Sequence, residues 1–196
     1  MTKNYDPLRN DKYLFGRKID ESNHDHVKKI DEEIERKVNG DKVLVVASGS
    51  EIFVIDGDDV RKIAKNHDWF YALCIYKKKM YHGCHLGVYQ TFDNIKVANR
   101  DGWVLALCSD GSNNLYDAGS YGIYDYDIYD TLSGKIVAKR EYRVKALCFH
   151  HNTLYDGDEL GIIRDTLSNK MVAKRQGKVL ALCSDGSNNL YDAGSY

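Results

Sequence analysis

Five positions along the chain carry a basic or a tryptophan side chain, each one residue before a run of apolar residues. They are Lys42, Trp69, Trp103, Arg143 and Lys178. Cationic groups attract carboxylates, and the flat indole of tryptophan buries well against a peptide. If the fold brings these positions together, their chemistry predicts a site for an acidic peptide or another anionic ligand. The alternative is that the tryptophans fill junctions between elements while the cations are simply hydrated.

A second set of polar residues recurs eight or nine positions after the end of each apolar run. It consists of Asp56, His82, Asp117, Asp156 and Asp192. Hard metal ions prefer convergent carboxylates as ligands. The regular spacing places these residues in equivalent but separate units, so we expect them to accept hydrogen bonds from a neighbouring loop instead. No metal is predicted at this set.

The five cysteines are predicted to be free thiols rather than disulfide partners or metal ligands. Four of them occupy one recurring position, which suits a small buried apolar side chain; these are Cys74, Cys108, Cys148 and Cys183. Cys84 lies off that position, beside His82 and His85 in the segment YHGCHLG. Neighbouring side chains diverge on a strand, so this segment is not expected to hold a metal. We predict no cofactor.

Internal repeats dominate the sequence. The string VLALCSDGSNNLYDAGSY occurs twice without a mismatch, at residues 104–121 and 179–196. A diverged copy begins at Val144, and the recurring cysteine returns after 34, 40 and 35 residues. A period of this size is typical of stacked repeats or propeller blades. Within the unit at Val144, apolar runs alternate with turn residues, which predicts four short strands in each unit.

The repeated motifs resemble those of a WD-repeat blade. V-x-A-L-C, L-Y-D-A/G and the run ending in Asp-Thr are similar to its first three strands, while SGKIVAKR and SNKMVAKR are similar to its outer strand. The resemblance covers about residues 42–196, and the Trp-Asp and Gly-His dipeptides of that family are absent. It implies an all-β propeller of four-stranded blades, five in number. The inner strands are expected to begin near residues 43, 70, 104, 144 and 179.

The last of these units has only two strands, and an open sheet edge exposes unpaired backbone groups. Residues 13–38 can supply the missing strands, because YLFG, HVKKID and IERKV match the repeated motifs. The same segment can be a helix, with apolar residues at helical spacing at Val27, Ile30, Ile34 and Val38. Ring closure favours the strands. The alternatives are a truncated piece of a longer array and a chain that completes its ring with another copy.

We therefore predict a flexible tail over residues 1–12 and a single propeller domain over residues 13–196. The net charge of −1 gives no electrostatic reason to expect nucleic acid or an anionic membrane as a partner. The start of the chain is polar and lacks the apolar core of a signal peptide, and no apolar run is long enough to span a bilayer. These features favour a cytoplasmic protein.

A rigid disc that presents loops favours a non-catalytic scaffold for a protein or peptide partner. No set of acid, base and metal ligand converges in the sequence, so no enzymatic activity is expected. The alternatives are a lectin-like propeller that uses its repeated Tyr, Asn and Asp residues, or a fragment without a function of its own. The SDGSNN segments are predicted to be hairpin turns. An insertion between Tyr121 and Tyr129 is the best candidate for a surface peculiar to this protein.

Overall fold

The computed structural model describes residues 13–14, 17–18, 44–56, 58–122 and 124–195. Within these ranges the regular structure consists of antiparallel β-sheets, as the sequence predicts for an all-β protein. No helix among them could cross a membrane. The predicted tail, residues 1–12, and the segment at residues 19–38 lie outside the described residues.

The described residues form strands β1 (Tyr13–Leu14), β2 (Arg17–Lys18), β3 (Leu44–Ser48), β4 (Glu51–Asp56), β5 (Asp59–Lys65), β6 (Ala72–Tyr76), β7 (Lys79–Gln90), β8 (Ile95–Ser109), β9 (Leu115–Tyr121), β10 (Ile128–Asp130), β11 (Ile136–Ala138), β12 (Val144–His150), β13 (Thr153–Asp158), β14 (Ile162–Asp165), β15 (Met171–Lys174), β16 (Lys178–Ser184) and β17 (Leu190–Ser195). Within the described ranges, β1 and β2 pair with each other and with no other strand.

The other described strands form four sheets, and the repeated motifs divide them into segments that we call units 1 to 5. Unit 1 is the sheet β3–β5, unit 4 is the four-stranded sheet β12–β15, and unit 5 is the pair β16–β17. Units 2 and 3 share one six-stranded sheet because β8 runs from one unit into the next. Its first part, residues 95–99, pairs with residues 87–90 of β7, and its second part, residues 102–109, pairs with β9. Unit 2 therefore ends, and unit 3 begins, within β8.

Successive units pack against each other mainly through their first two strands. Each contact buries an apolar cluster with members from both units. Units 1 and 2 share the cluster of Ile52, Phe70 and Met80, and units 2 and 3 that of Tyr76, Tyr81 and Leu115. Units 3 and 4 share the cluster of Ala118, Val144 and Leu147, and units 4 and 5 that of Ala146 and Val179. Antiparallel sheets that follow one another in this way, inner strand beside inner strand, give a propeller-like arrangement.

Two glycines permit the close approach of neighbouring units. A Cβ atom at Gly83 would collide with the side chain of Val104 in the next unit, and one at Gly157 would collide with Val179. Both valines are buried. The glycine that follows His82 or Asp156 on the second strand is therefore a packing position, which explains why a larger residue is absent there.

Candidate functional site

The antiparallel order gives the units two different faces. The inner strands begin on one face, which also holds the turns between second and third strands, and we call it the front face. The SDGSNN loops and the turns after Asp130 and Asp165 lie on the opposite, rear face. The described positions that immediately precede an inner strand therefore belong to the front face.

A β-bulge recurs at the start of three inner strands. The strand register shifts at Leu105, Lys145 and Leu180, each of which lacks a paired residue on the neighbouring strand. A bulge bends the strand and re-aims the extra side chain. Two of these bulge residues, Leu105 and Lys145, line a cleft on the front face.

This front-face cleft has a volume of about 280 Å³. Its lining residues come from units 2, 3 and 4, and they are Tyr71, Trp103, Leu105, Ser120, Arg143 and Lys145. The cleft brings together two of the five residues predicted to form a binding site, Trp103 and Arg143. Its walls combine aromatic, aliphatic and cationic side chains, which can contact apolar groups and pair with anions.

The cationic groups of the cleft are only partly neutralised. The Nε atom of Arg143 is buried and has no hydrogen-bond partner among the residues that the structure describes. The backbone N–H of Arg143 donates to the carboxylate of Glu159 at 3.4 Å. Burial and the positive charge of Arg143 lower the pKa of Lys145, against the opposing effect of Glu159. Lys178 contributes to the same repulsion, so three cations influence this part of the front face.

The other predicted site residues take different positions. The indole of Trp103 is partly exposed, with its ring 5.9 Å from that of His85. Trp69 is more exposed and is not among the residues that line the cleft. Lys178 is exposed at the start of β16, and Lys42 lies outside the described residues.

Arginines that sequence reasoning did not single out bind three of the recurring carboxylates. In each pair the arginine Nε donates a hydrogen bond to a carboxylate oxygen of the aspartate. The distances are 2.7 Å for Arg100 and Asp117, 3.0 Å for Arg140 and Asp156, and 2.6 Å for Arg175 and Asp192. Each arginine follows an outer strand, and its aspartate lies on the second strand of the next unit. Each ion pair therefore connects two successive units. The signal was present in the sequence, because arginine and aspartate recur together 16 or 17 residues apart.

Unit 2 replaces this ion pair by neutral groups. Asn66 takes the place of the arginine and His82 that of the aspartate, with 3.5 Å between Nδ2 of Asn66 and Nε2 of His82. The Nδ1 atom of His82 lies 3.2 Å from Oγ1 of Thr91. His82 is buried whereas His85 is exposed, so the two side chains of the YHGCHLG segment face different surroundings. Burial lowers the pKa of His82 to about 4.

The buried His82 predicts a specific sensitivity to acid. The unfolded chain binds a proton at His82 near its ordinary pKa of about 6.5, whereas the folded chain does so only near 4. The free energy of unfolding should therefore fall as the pH drops from about 6.5 towards 4, with a slope approaching about 1.4 kcal/mol per pH unit from this residue. Denaturant titrations of the wild type and of His82→Gln at several pH values measure it. The same slope in both proteins would contradict the assignment.

The SDGSNN loops are hairpin turns, as predicted. The Oδ1 atom of Asp110 accepts the backbone N–H groups of Ser112 at 2.8 Å and Asn114 at 3.0 Å. Burial acts to raise the pKa of Asp110, but the hydrogen bonds from Asn114 and Ser112 outweigh it and lower this pKa to about 2. The lectin hypothesis depends on such Asp and Asn side chains, and here they are engaged within their own turn.

The insertion in unit 3 folds back on the front face. Tyr121 forms a backbone bridge with Asp125, and the hydroxyl of Tyr129 donates to the Asp125 carboxylate at 2.9 Å. The guanidinium of Arg100 lies 4.3 Å from the centroid of the Tyr129 ring. Tyr124, at the tip, is exposed. Tyr121 and Tyr129, which flank the insertion, therefore both pack near Arg100, and the insertion presents Tyr124 to solvent.

No protein-family model matches the chain, and no curated protein sequence matches it. A chain of the Mitotic Checkpoint Complex is structurally similar, with a TM-score of 0.54 and 16% identity over 79% of this chain and 56% of that chain. The computationally designed proteins Ika8 and Ika4 give TM-scores of 0.48 and 0.47 at 17% and 19% identity, over 78% and 66% of this chain and 55% and 87% of theirs. The chain thus spans about half the length of the Mitotic Checkpoint Complex chain and of Ika8.

At 16% identity the likeness to the Mitotic Checkpoint Complex chain concerns the fold alone. Together with the packing of successive antiparallel sheets, it defines the class of this protein as an all-β repeat protein with a propeller-like fold.

Proposed function

We propose that this chain is a non-catalytic scaffold of the WD-repeat-like kind, which binds an acidic peptide or protein segment in the front-face cleft. The observation that carries the proposal is the cleft's combination of two cationic side chains, Arg143 and Lys145, with the indole of Trp103. A carboxylate bound in the cleft would pair with the guanidinium of Arg143, and a charged hydrogen bond of this type is strong. Trp103 and Leu105 would cover the apolar part of the same segment.

Several further features belong to this proposal. The five units act as propeller blades that follow one another around an axis, and a protein partner is favoured because a structurally similar chain comes from a protein complex. A cytoplasmic location suits the five cysteines, all of which are free thiols. No catalytic role is assigned to the cleft, because its described lining includes no histidine, cysteine or carboxylate.

Peptide binding tests the proposal directly. A short fluorescent peptide of alternating Glu and Leu should bind the wild type, and Arg143→Ala should weaken this binding about 10- to 100-fold, the cost of a lost hydrogen bond between charged groups. Trp103→Ala should weaken it as well. Fluorescence anisotropy at two salt concentrations measures both effects, while circular dichroism checks that the variants remain folded.

Lys170→Ala is the matched control. It also removes one positive charge, but from the rear-face turn after Asp165, so it should leave the affinity for the peptide unchanged. Equal affinities for Arg143→Ala and Lys170→Ala would contradict the proposal. Equally tight binding of a peptide of alternating Lys and Leu would also contradict it.

A further inference from the structure

The two identical copies of VLALCSDGSNNLYDAGSY lie in different surroundings. In unit 3, Ala106 and Ala118 are 6% and 0% exposed. Their counterparts in unit 5, Ala181 and Ala193, are exposed. Because the sequences are the same, this difference comes from the surroundings: the copy in unit 3 is covered by β10 of its own unit, through Ile128, and by unit 4.

The buried copy shows what kind of surface covers this face. Ala106 and Ala118 pack against Val144, Leu147 and Leu154 of unit 4. The complement is therefore an antiparallel sheet whose inner strand presents apolar residues to the preceding unit. The corresponding face of unit 5, which we call the tail face, contains Ala181, Cys183 and Ala193, and it is exposed in the single chain.

Unit 1 carries a surface of the required kind. Its inner strand contacts unit 2 through Val45 and Ala47, so the alternating residues Leu44 and Val46 belong to the opposite side of the sheet. That side, which we call the head face, contains Leu44, Val46, Phe53, Ile55 and Val60, with Leu44, Ile55 and Val60 paired across three strands. Leu44 and Val60 are 60% and 61% exposed.

We propose that the tail face of one chain binds the head face of a second copy of this chain. Each chain carries both faces, so two copies can make two equal head-to-tail contacts related by a two-fold axis. Both contacts extend the packing already seen between units 3 and 4. They cover apolar sheet faces that are exposed in the described part of the chain.

The test measures molecular mass and the reactivity of Cys183 over a range of protein concentrations. Sedimentation of the wild type should show a shift from one chain to two, and alkylation of Cys183 should slow in parallel. Ala181→Glu on the tail face and Leu44→Glu on the head face should each abolish the two-chain species. Leu167→Glu, which adds the same charge to a highly exposed rear-face turn, should leave it intact.

Mixing the two defective variants identifies the head-to-tail geometry. Ala181→Glu keeps an intact head face and Leu44→Glu an intact tail face, so the mixture should recover association that neither variant shows alone. Failure of the mixture to associate would overturn the proposal. It would also be overturned by a single-chain mass at every concentration, whether Cys183 is reactive or is protected by closure within one chain.

Discussion

Replacing Arg140 by alanine is expected to lower the free energy of unfolding by about 3–5 kcal/mol, because it leaves a buried carboxylate without its counter-charge. The guanidinium donates to Asp156 from two nitrogens, at 3.0 and 2.5 Å, and to the carbonyl oxygen of Thr166 at 3.0 Å. The side chains of Arg140 and Asp156 are 6% and 0% exposed. Water therefore cannot replace the lost contacts.

The repeat supplies a matched control in Arg175→Ala. The equivalent pair in unit 5, Arg175 and Asp192, has side chains that are 55% and 15% exposed, and an exposed pair contributes about 1 kcal/mol or less. Denaturant unfolding at low protein concentration measures both changes as shifts of the midpoint at constant slope. Equal losses in the two variants would show that burial is not what makes the Arg140–Asp156 pair important.

Leu115→Ala is expected to cost about 2–5 kcal/mol, since it removes a fully buried side chain and leaves a cavity. Leu115 packs against Tyr76, Tyr81 and Leu107 where unit 3 contacts unit 2. Leu190 occupies the same place in the second copy of the 18-residue string, but it is only half-buried.

The comparison of Leu115→Ala with Leu190→Ala isolates the effect of packing between units, because the local sequence and its strand propensity are the same. Leu190→Ala should cost clearly less than Leu115→Ala in the same denaturant titration. A loss at Leu190 equal to that at Leu115 would mean that local strand structure, and not packing between units, determines the stability.

Much of the fold follows from the repeated motifs. The four strands predicted after Val144 correspond to β12–β15, because alternating apolar runs and turn residues define both strands and hairpins. The continuity of β8 through two units could not be predicted, since no residue between Asn99 and Trp103 marks it. The bulges at Leu105 and Lys145 could not be predicted from the sequence either, because one extra residue does not change the composition of a strand.

The candidate site was predictable only in part, for a similar reason. Trp103 and Arg143 line the same cleft because they precede the inner strands of adjacent units, and a bulge follows within two residues of each. Trp69 precedes β6, whose register with β7 is regular, and it does not line the cleft. The arginines that bind Asp117 and Asp156 contact them across a unit boundary. A single motif cannot show such a contact, although the common period of arginine and aspartate indicates it.

Distances between equivalent positions in successive units test the propeller-like arrangement most directly. Spin labels introduced as noncanonical residues at Tyr71, Leu105, Lys145 and Leu180 would leave the native cysteines unchanged, and electron paramagnetic resonance would measure the separation of each pair. If the units are arranged around an axis, two labels that are two or three units apart should be closer than two or three times the distance between labels on adjacent units. A strictly proportional increase would mean that the sheets are stacked in a line, and would contradict the account.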